Sequence, residues 1–165
     1  MTTPSTGETS LTNLLTSLTV TLHPQTYTFL TLPPNHNPTP SQPLQITPDI
    51  KMLFHEPTEN QYTLIVDSSS PNLPTYQVPG SQTSPTQWKM LTLNVHSSLD
   101  AVGFMAVVAR ALSEAGVSAN VVAGYLHDHV FVQAGRAEGA VEAIERVARD
   151  ARGRVQGGMK TEVGS

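Results

Sequence analysis

The sequence predicts an α+β fold, in which an open β-sheet carries helices on one face. Three observations favour this fold. Residues 89–152 follow the order β-α-β-β-α, and residues 27–66 contain two more segments rich in β-branched and aromatic residues. Between these two parts lies a stretch dense in Ser, Pro and Gly, Ser68–Pro85, which is typical of a linker. We therefore expect two small α+β lobes.

Length and composition restrict the class of protein. The chain has 165 residues, of which 38% are hydrophobic and 13% charged, which suits one ordinary domain or two very small ones. A net charge of −4 provides no basic surface for a nucleic-acid backbone. The absence of cysteine excludes disulfides and cysteine-based metal sites. We see no signal-peptide pattern and no apolar run long enough to span a membrane, so a cytoplasmic protein is expected.

The first lobe is expected to begin after a polar segment, residues 1–9, that we predict to be disordered. The alternating segment Tyr27–Leu32 predicts a strand, and so does Tyr62–Val66. Ser10 can cap a short helix whose apolar residues recur at helical spacing: Leu11, Leu14, Leu15 and Leu18.

A proline-rich loop, residues 33–48, separates the two strands of this lobe. Pro48 is expected to begin a helical turn that continues through Phe54. The predicted boundaries are an N-terminal lobe at residues 10–85, a C-terminal lobe at 86–152, and a disordered tail at 153–165.

The second lobe opens with a strand, Lys89–His96, whose residues Leu91, Leu93 and Val95 share one face and are expected to meet helices. Ser97 or Ser98 then caps a helix over Leu99–Ala115, with Asp100 in its first turn. This helix is apolar on two sides, so one side should pack on its own sheet and the other on the second lobe or another subunit. The two stripes are Val102, Met105, Ala109 and Leu112, and Ala101, Phe104, Val108 and Ala111.

Two antiparallel strands and a helix complete the lobe: Asn120–Tyr125, His129–Val132 and Arg136–Arg152. The order is that of a ferredoxin-like (βαββαβ) fold without its last strand. Because an unpaired sheet edge invites aggregation, Tyr27–Leu32 or Tyr62–Val66 is expected to fill the gap. The two lobes should therefore share strands.

Two motifs in this lobe are distinctive: V-H-S-S-L-D-A-V-G, residues 95–103, and E-A-G-V-S-A-N-V-V-A-G-Y-L-H-D-H-V-F-V, residues 114–132. They resemble a small family of ACT-domain proteins of uncharacterised function, with bacterial and fungal members. The segment L-H-P-Q-T-Y-T-F-L-T, residues 22–31, is also similar to the family's opening strand. The chain departs from the family in the insertion 34–43, in the linker 68–85, and at Gln133–Gly135. The resemblance implies tandem ACT-like units, as in the regulatory regions of aspartate kinases and the arginine-sensing CASTOR proteins.

The resemblance also implies a non-enzymatic regulatory module that binds a small ligand, usually an amino acid, at an interface between two units. Such a site uses the turn after the first strand and the start of the second strand. Carried over by position, the ligand-binding residues are His96, Ser97, Ser98, Leu99, Asp100, Val102 and Gly103, with Asn120 and Val121.

The residue types in the turn suit a zwitterion. A helix N-terminus offers free N–H groups for a carboxylate, here those of Leu99 to Ala101. An ammonium group can be held by Asp100 or by the carbonyl of Asn120. Ser97 and Ser98 add hydroxyl groups, but two serines before an acid also form an ordinary helix cap, so capping and ligand binding stay open as alternatives.

Two other classes of function compete with a ligand-binding module. In the first, the helix Leu99–Ala115 forms a homodimer or binds a partner protein, with Phe104 and Val108 marking the contact surface. In the second, His127, Asp128 and His129 bind a metal ion together with His96. Alternate residues of a tight turn need not converge, and Asp128 is expected to bond its own backbone, so a structural turn is favoured there.

Catalysis and cofactors are not indicated by the sequence. His96 and Ser97 are neighbours at a strand end and point apart, which is poor geometry for a nucleophile and its base. There is no Gly-x-Ser-x-Gly motif. We expect no enzyme activity and no cofactor.

Overall fold

The computed structural model describes residues 7–33 and 47–162. Most of the proline-rich loop predicted at residues 33–48 lies outside these residues, as do 1–6 and 163–165. The described helices and strands, in chain order, are α1 (Leu11–Ser17), β1 (Val20–Leu22), β2 (Tyr27–Leu32), β3 (Ile50–Glu56), β4 (Gln61–Asp67), α2 (Leu73–Tyr76), β5 (Trp88–Leu93), α3 (Phe104–Glu114), β6 (Ala119–Ala123), β7 (Asp128–Gln133) and α4 (Ala137–Glu162).

The chain divides into two compact units. Of the described residues, 7–23 join 90–162 in one unit, which we call the terminal unit. Residues 24–33 and 47–89 form the other, the middle unit. The boundary passes through β5, so that strand contributes residues to both units.

The terminal unit has a sheet in the order β1-β5-β7-β6 with helices packed on one face. Strand alternation places Leu91 and Leu93 of β5, and Val130 and Val132 of β7, towards the helices. The helices α1, α3 and α4 complete this core with buried residues: Leu14, Leu18, Phe104, Val108, Leu112, Ala137, Ala140, Ile144 and Ala148.

Most of the open edge of β5 is paired by a strand that we did not predict, and the predicted strand Tyr27–Leu32 pairs with β5 at one position, Tyr27 opposite Trp88. Val20–Leu22 fills the place beside β5 and runs antiparallel to it, with Val20 opposite Leu93 and Leu22 opposite Leu91. Both candidates, Tyr27–Leu32 and Tyr62–Val66, are strands, but they belong to the middle unit. Three residues are too few to show a clear alternation of apolar and polar side chains, so the sequence pattern missed β1.

The middle unit contains a sheet in the order β3-β4-β2. Strand β2 pairs with β4 along its whole length, from Tyr27 opposite Asp67 to Leu32 opposite Tyr62. The helical turn predicted after Pro48 is wrong, because residues from Ile50 onward form β3 and pair with β4. The buried core consists of Leu30, Leu32, Ile50, Leu64, Val66 and Tyr76.

The segment predicted as a linker, Ser68–Pro85, is part of the middle unit's fold. It contains α2 and then runs along the other edge of β2, where the Thr31 N–H donates to the Gln82 carbonyl at 2.8 Å. The Ser84 N–H donates to the Phe29 carbonyl at 2.8 Å. These bonds satisfy backbone groups of β2 that an open linker would leave exposed.

Three predicted boundaries in the terminal unit are also wrong. Helix α3 begins at Phe104, five residues after Leu99, because residues 98–101 form a turn. The Ala101 N–H closes this turn by donating a hydrogen bond of 2.9 Å to the Ser98 carbonyl. Helix α4 continues to Glu162, through most of the predicted tail. In the segment predicted to be disordered, Glu8 makes a β-bridge with Ser97.

Within residues 7–33 and 47–162, no helix combines the length and apolar character that a membrane crossing requires.

The two apolar sides of α3 have different environments. Phe104 and Val108 are 2% and 0% exposed, because they lie in the core of their own unit. The prediction that they mark a partner surface is therefore wrong. On the other stripe Val102 precedes the helix and is 84% exposed, whereas Leu112 is buried.

Candidate ligand-binding site

A cavity of about 200 Å³ lies in the terminal unit, where the turn after β5 meets the first turn of α3 and the hairpin between β6 and β7. We call it the α3 cavity. Its lining residues are Ser97, Ser98, Leu99, Ala101, Gly103, Phe104, Met105, Ala106, Ala123 and Asp128.

The first wall of the cavity is the turn of residues 96–101, which we call the serine turn. The N-terminal segment holds it in place: the Glu8 N–H donates to the His96 carbonyl at 2.8 Å, and the Ser98 N–H donates to the Glu8 carbonyl at 2.9 Å. Gly7 lies so close that an added Cβ would be 2.6 Å from the Ser98 nitrogen, and its φ is +82°. Only glycine fits such a position without strain.

The second wall is the N-terminus of α3. Gly103 caps the helix with a φ of +92°, and its carbonyl accepts from the Val107 N–H at 3.1 Å. The N–H groups of the preceding residues Phe104, Met105 and Ala106 have no carbonyl four residues back within the helix. All three residues line the cavity, so the positive end of the helix dipole adjoins it.

The third wall carries a buried acid, Asp128. Its side chain is only 7% exposed, and its Oδ2 accepts from the Ser97 hydroxyl at 2.9 Å. No other hydrogen-bond donor among the described residues contacts this carboxyl group, so Oδ1 stays available. A buried carboxylate that lines a cavity is a strong acceptor for a ligand's ammonium group.

The nine residues predicted from the sequence are only partly brought together. Four of them line the α3 cavity: Ser97, Ser98, Leu99 and Gly103. Asp100, the predicted ammonium partner, is exposed and lines a separate hollow of about 140 Å³ together with Ser98, Leu99 and Tyr125.

The remaining predicted residues lie outside the lining of the α3 cavity. The His96 ring faces Tyr125, with their ring centroids 6.5 Å apart. Val102 is exposed beside the cavity. Asn120 and Val121 lie in β6, opposite Phe131 and Val130 of β7.

Asp128 was missed as a ligand-site residue because we placed it in a turn. It is in fact the first residue of β7, paired with Ala123, and the hairpin loop is Gly124–His127. The signal was present in the sequence, since Asp128, Val130 and Val132 alternate and therefore share the face towards the helices.

The predicted metal candidates do not converge. Asp128 and His129 are consecutive strand residues, so their side chains point to opposite faces of the sheet. The Nδ1 atom of His129 is 3.0 Å from the Thr92 hydroxyl, which is itself 2.8 Å from Nε2 of His23. In the part of the chain that the structure describes, no three His, Cys, Asp or Glu side chains could hold a metal ion together.

His129 is affected electrostatically by this arrangement. Burial lowers the pKa of its imidazole, and the nearby imidazoles of His127 and His23 lower the pKa further, against a smaller opposite effect of Asp128. Its neutral form is therefore favoured, which suits a hydrogen-bonding role beside Thr92.

The fold defines the class of protein: tandem ferredoxin-like units, one of which carries a small cavity at a helix N-terminus. Two models of the ACT domain match this chain, one at residues 6–70 and the other at residues 83–146. The chain belongs to the ACT-domain family and contains two ACT domains in tandem. None of the curated proteins matches the sequence.

Solved structures agree with this assignment. A protein of unknown function from Vibrio cholerae, described as a possible transport protein, is 34% identical, with a TM-score of 0.63 over 84% of this chain and 95% of that chain. The regulatory subunit of aspartate kinase from Thermus flavus is 13% identical, with a TM-score of 0.55 over 78% and 96% of the two chains. A protein from Agrobacterium tumefaciens is 12% identical, with a TM-score of 0.57 over 79% and 89%. The last two similarities are at the level of the fold alone.

Proposed function

We propose that this protein is a non-enzymatic regulatory module that binds a free amino acid, or a similar small zwitterion, in the α3 cavity. One observation carries the proposal: Asp128, whose carboxylate has an available oxygen, and the first three residues of α3 line the same small cavity. An α-amino acid presents the two complementary charges on neighbouring atoms. Its carboxylate suits the helix N-terminus, and its ammonium group suits Asp128.

The proposal differs from the prediction from sequence in the residue that holds the ammonium group. Asp128 replaces Asp100, because Asp128 is buried and lines the cavity, whereas Asp100 is exposed. Folding has already removed most water from Asp128, so its attraction to an ammonium group is screened less than that of the exposed Asp100.

A regulatory effect would follow from a change in the populations of the protein's conformations. A ligand that contacts the serine turn, α3 and β7 together favours the arrangement in which all three are in place. The protein would then signal through its own stability or its affinity for another protein. The aspartate kinase structure named above is described as a regulatory subunit, which supports a regulatory role without specifying it.

The second candidate is a protein-interaction module without a ligand. Several large apolar side chains near the cavity are exposed and favour this alternative: Leu99, Val102, Tyr125 and Leu126. The two candidate functions can be distinguished by amino-acid binding, because a module for protein interaction alone does not bind free amino acids.

Calorimetric titration with a panel of amino acids tests the proposal. Wild-type protein is expected to bind at least one of them, and Asp128→Asn should weaken that binding about thirtyfold or more, because the ligand's ammonium would stay buried without its counter-charge. The matched control is Asp100→Asn, an exposed acid on the serine turn outside the lining of the cavity, which should change the affinity only a few-fold. The melting temperature of each unliganded variant checks that the fold is intact.

Two results would contradict the proposal. If no amino acid gives a heat of binding, the α3 cavity is not an amino-acid site. If Asp100→Asn weakens binding as much as Asp128→Asn does, the assignment of the ammonium group to Asp128 is incorrect.

A further inference from the structure

We infer that the bound amino acid carries a small, uncharged, apolar side chain, in the size range from valine to leucine and methionine. This inference rests on the proposed function and adds the ligand's chemical class. Three properties of the α3 cavity support it: its charges, its available polar groups and its size.

Charge is the first property. Asp128 is the only ionisable side chain among the ten lining residues, and the ligand's ammonium group neutralises it. A second carboxylate, as in aspartate or glutamate, would find no lysine, arginine or histidine in the lining. A second cation, as in lysine, would find no further acid there, since Asp100 lines the neighbouring hollow. A charge held against the apolar lining loses part of its hydration without gaining a partner, so charged side chains are selected against.

Available polar groups are the second property. The Ser97 hydroxyl already donates to Asp128, and the Ser98 oxygen already accepts from the Asp100 N–H at 3.2 Å. These bonds leave the Ser98 hydroxyl hydrogen as the one uncommitted side-chain donor in the lining, so a polar ligand side chain would find few partners there. The rest of the lining consists of apolar side chains and one glycine: Leu99, Ala101, Gly103, Phe104, Met105, Ala106 and Ala123. Such a surface favours methyl and methylene groups.

Size is the third property. The cavity has about 200 Å³, below the roughly 300–1,000 Å³ of pockets for drug-sized ligands. Phe104 cannot move aside, because it is 2% exposed within the core. Met105 is half-buried and its unbranched side chain can adapt to ligands of slightly different shape. An indole side chain should be too large.

Titration of the full chain with near-isosteric amino acids tests the inference. L-valine is expected to bind roughly ten- to hundredfold more tightly than L-threonine, since the two differ only by a methyl and a hydroxyl group. L-leucine should likewise bind more tightly than L-asparagine and L-aspartate by at least about tenfold. L-lysine and L-tryptophan should bind more weakly than L-leucine.

A pair of variants on α3 links this selectivity to the cavity. Ala106→Leu fills the cavity and should weaken L-leucine binding at least about tenfold, whereas Ala109→Leu, one turn along on the same helix and outside the lining, should leave it within twofold. Met105→Ala enlarges the cavity and should shift the preference towards larger apolar side chains such as phenylalanine.

The outcomes separate this inference from the proposed function. If amino acids bind but aspartate, lysine or serine binds more tightly than leucine, the apolar class is overturned and the proposed function stands. If Ala106→Leu and Ala109→Leu have equal effects, the cavity does not select the side chain. If no amino acid binds to the wild-type chain, both the inference and the proposed function are overturned.

Discussion

Gly7 is the residue that lets the N-terminal segment lie against the serine turn. Its backbone is in the left-handed region, and its α-carbon approaches the backbone of Ser98 too closely for any side chain. The next residue, Glu8, then bonds to both sides of the turn, and its carboxylate accepts from the N–H groups of Thr9 and Ser10, just before α1. The bond from Ser10, followed by that from Asn13, lowers the pKa of Glu8.

Gly7→Ala should therefore destabilise the protein and weaken ligand binding. The positive φ alone costs about 1–2 kcal/mol in the free energy of unfolding, and the added Cβ would displace Ser98 from the cavity wall. Gly139→Ala is the matched control, because a Cβ there meets nothing within 4 Å and its position in α4 favours alanine by about 0.5–1 kcal/mol. Denaturant unfolding measures the change in the free energy of unfolding for both variants. Equal effects of the two substitutions would show that the contact between Gly7 and Ser98 has no energetic importance.

At the scale of elements, β1 is the short strand on which the terminal unit depends. The first ACT match includes α1 and β1, yet both pack with the elements of the second match, β5 to α4. Strand β1 occupies the place that the last strand of a ferredoxin-like fold would take. The edge of β5 is thereby paired and no longer open to aggregation.

Breaking the β1–β5 ladder should destabilise the terminal unit. The His23 N–H donates to the Met90 carbonyl, and the Asn94 N–H donates to the Thr19 carbonyl. Hydrogen-bonded and non-hydrogen-bonded pairs alternate along an antiparallel ladder, so Thr21 and Thr92, midway between these two bonds, form a hydrogen-bonded pair. Thr21→Pro removes this bond and should lower the free energy of unfolding by about 1–3 kcal/mol, whereas Thr21→Ala keeps the N–H and should lower it by much less. Equal stabilities of the two variants would contradict the role of β1.

The sequence predicted elements better than their ends. Strands such as Tyr62–Val66 were predictable because β-branched and apolar residues alternate there. The start of α3 was not predictable, because two serines followed by an acid resemble a helix cap. The feature that determines where the helix begins is the positive φ of Gly103. The role of Asp128 was hidden for a related reason: its neighbours His127 and His129 suggested a turn, although the hairpin loop ends at His127.

At the scale of the whole molecule, the tandem ACT architecture was predictable and the grouping of its elements was not. Motifs at residues 95–103 and 114–132 indicated the family, and the two ACT matches confirm it. Which segments pack together depends on contacts between residues far apart in the sequence, such as Val20 with Leu93, and local patterns contain no information about them. The same holds for the α3 cavity, whose walls come from residues 97–106 and from Ala123 and Asp128.

The central claim is that an amino acid binds between the N-terminus of α3 and Asp128. It is tested most directly by backbone amide NMR of the full chain during titration with L-leucine. We expect saturable changes in chemical shift that are largest at the amides of Phe104, Met105 and Ala106 and smaller at Asp128. In Asp128→Asn these changes should disappear. Saturable changes centred on the middle unit, or no changes at millimolar L-leucine and the other apolar amino acids, would contradict the central claim.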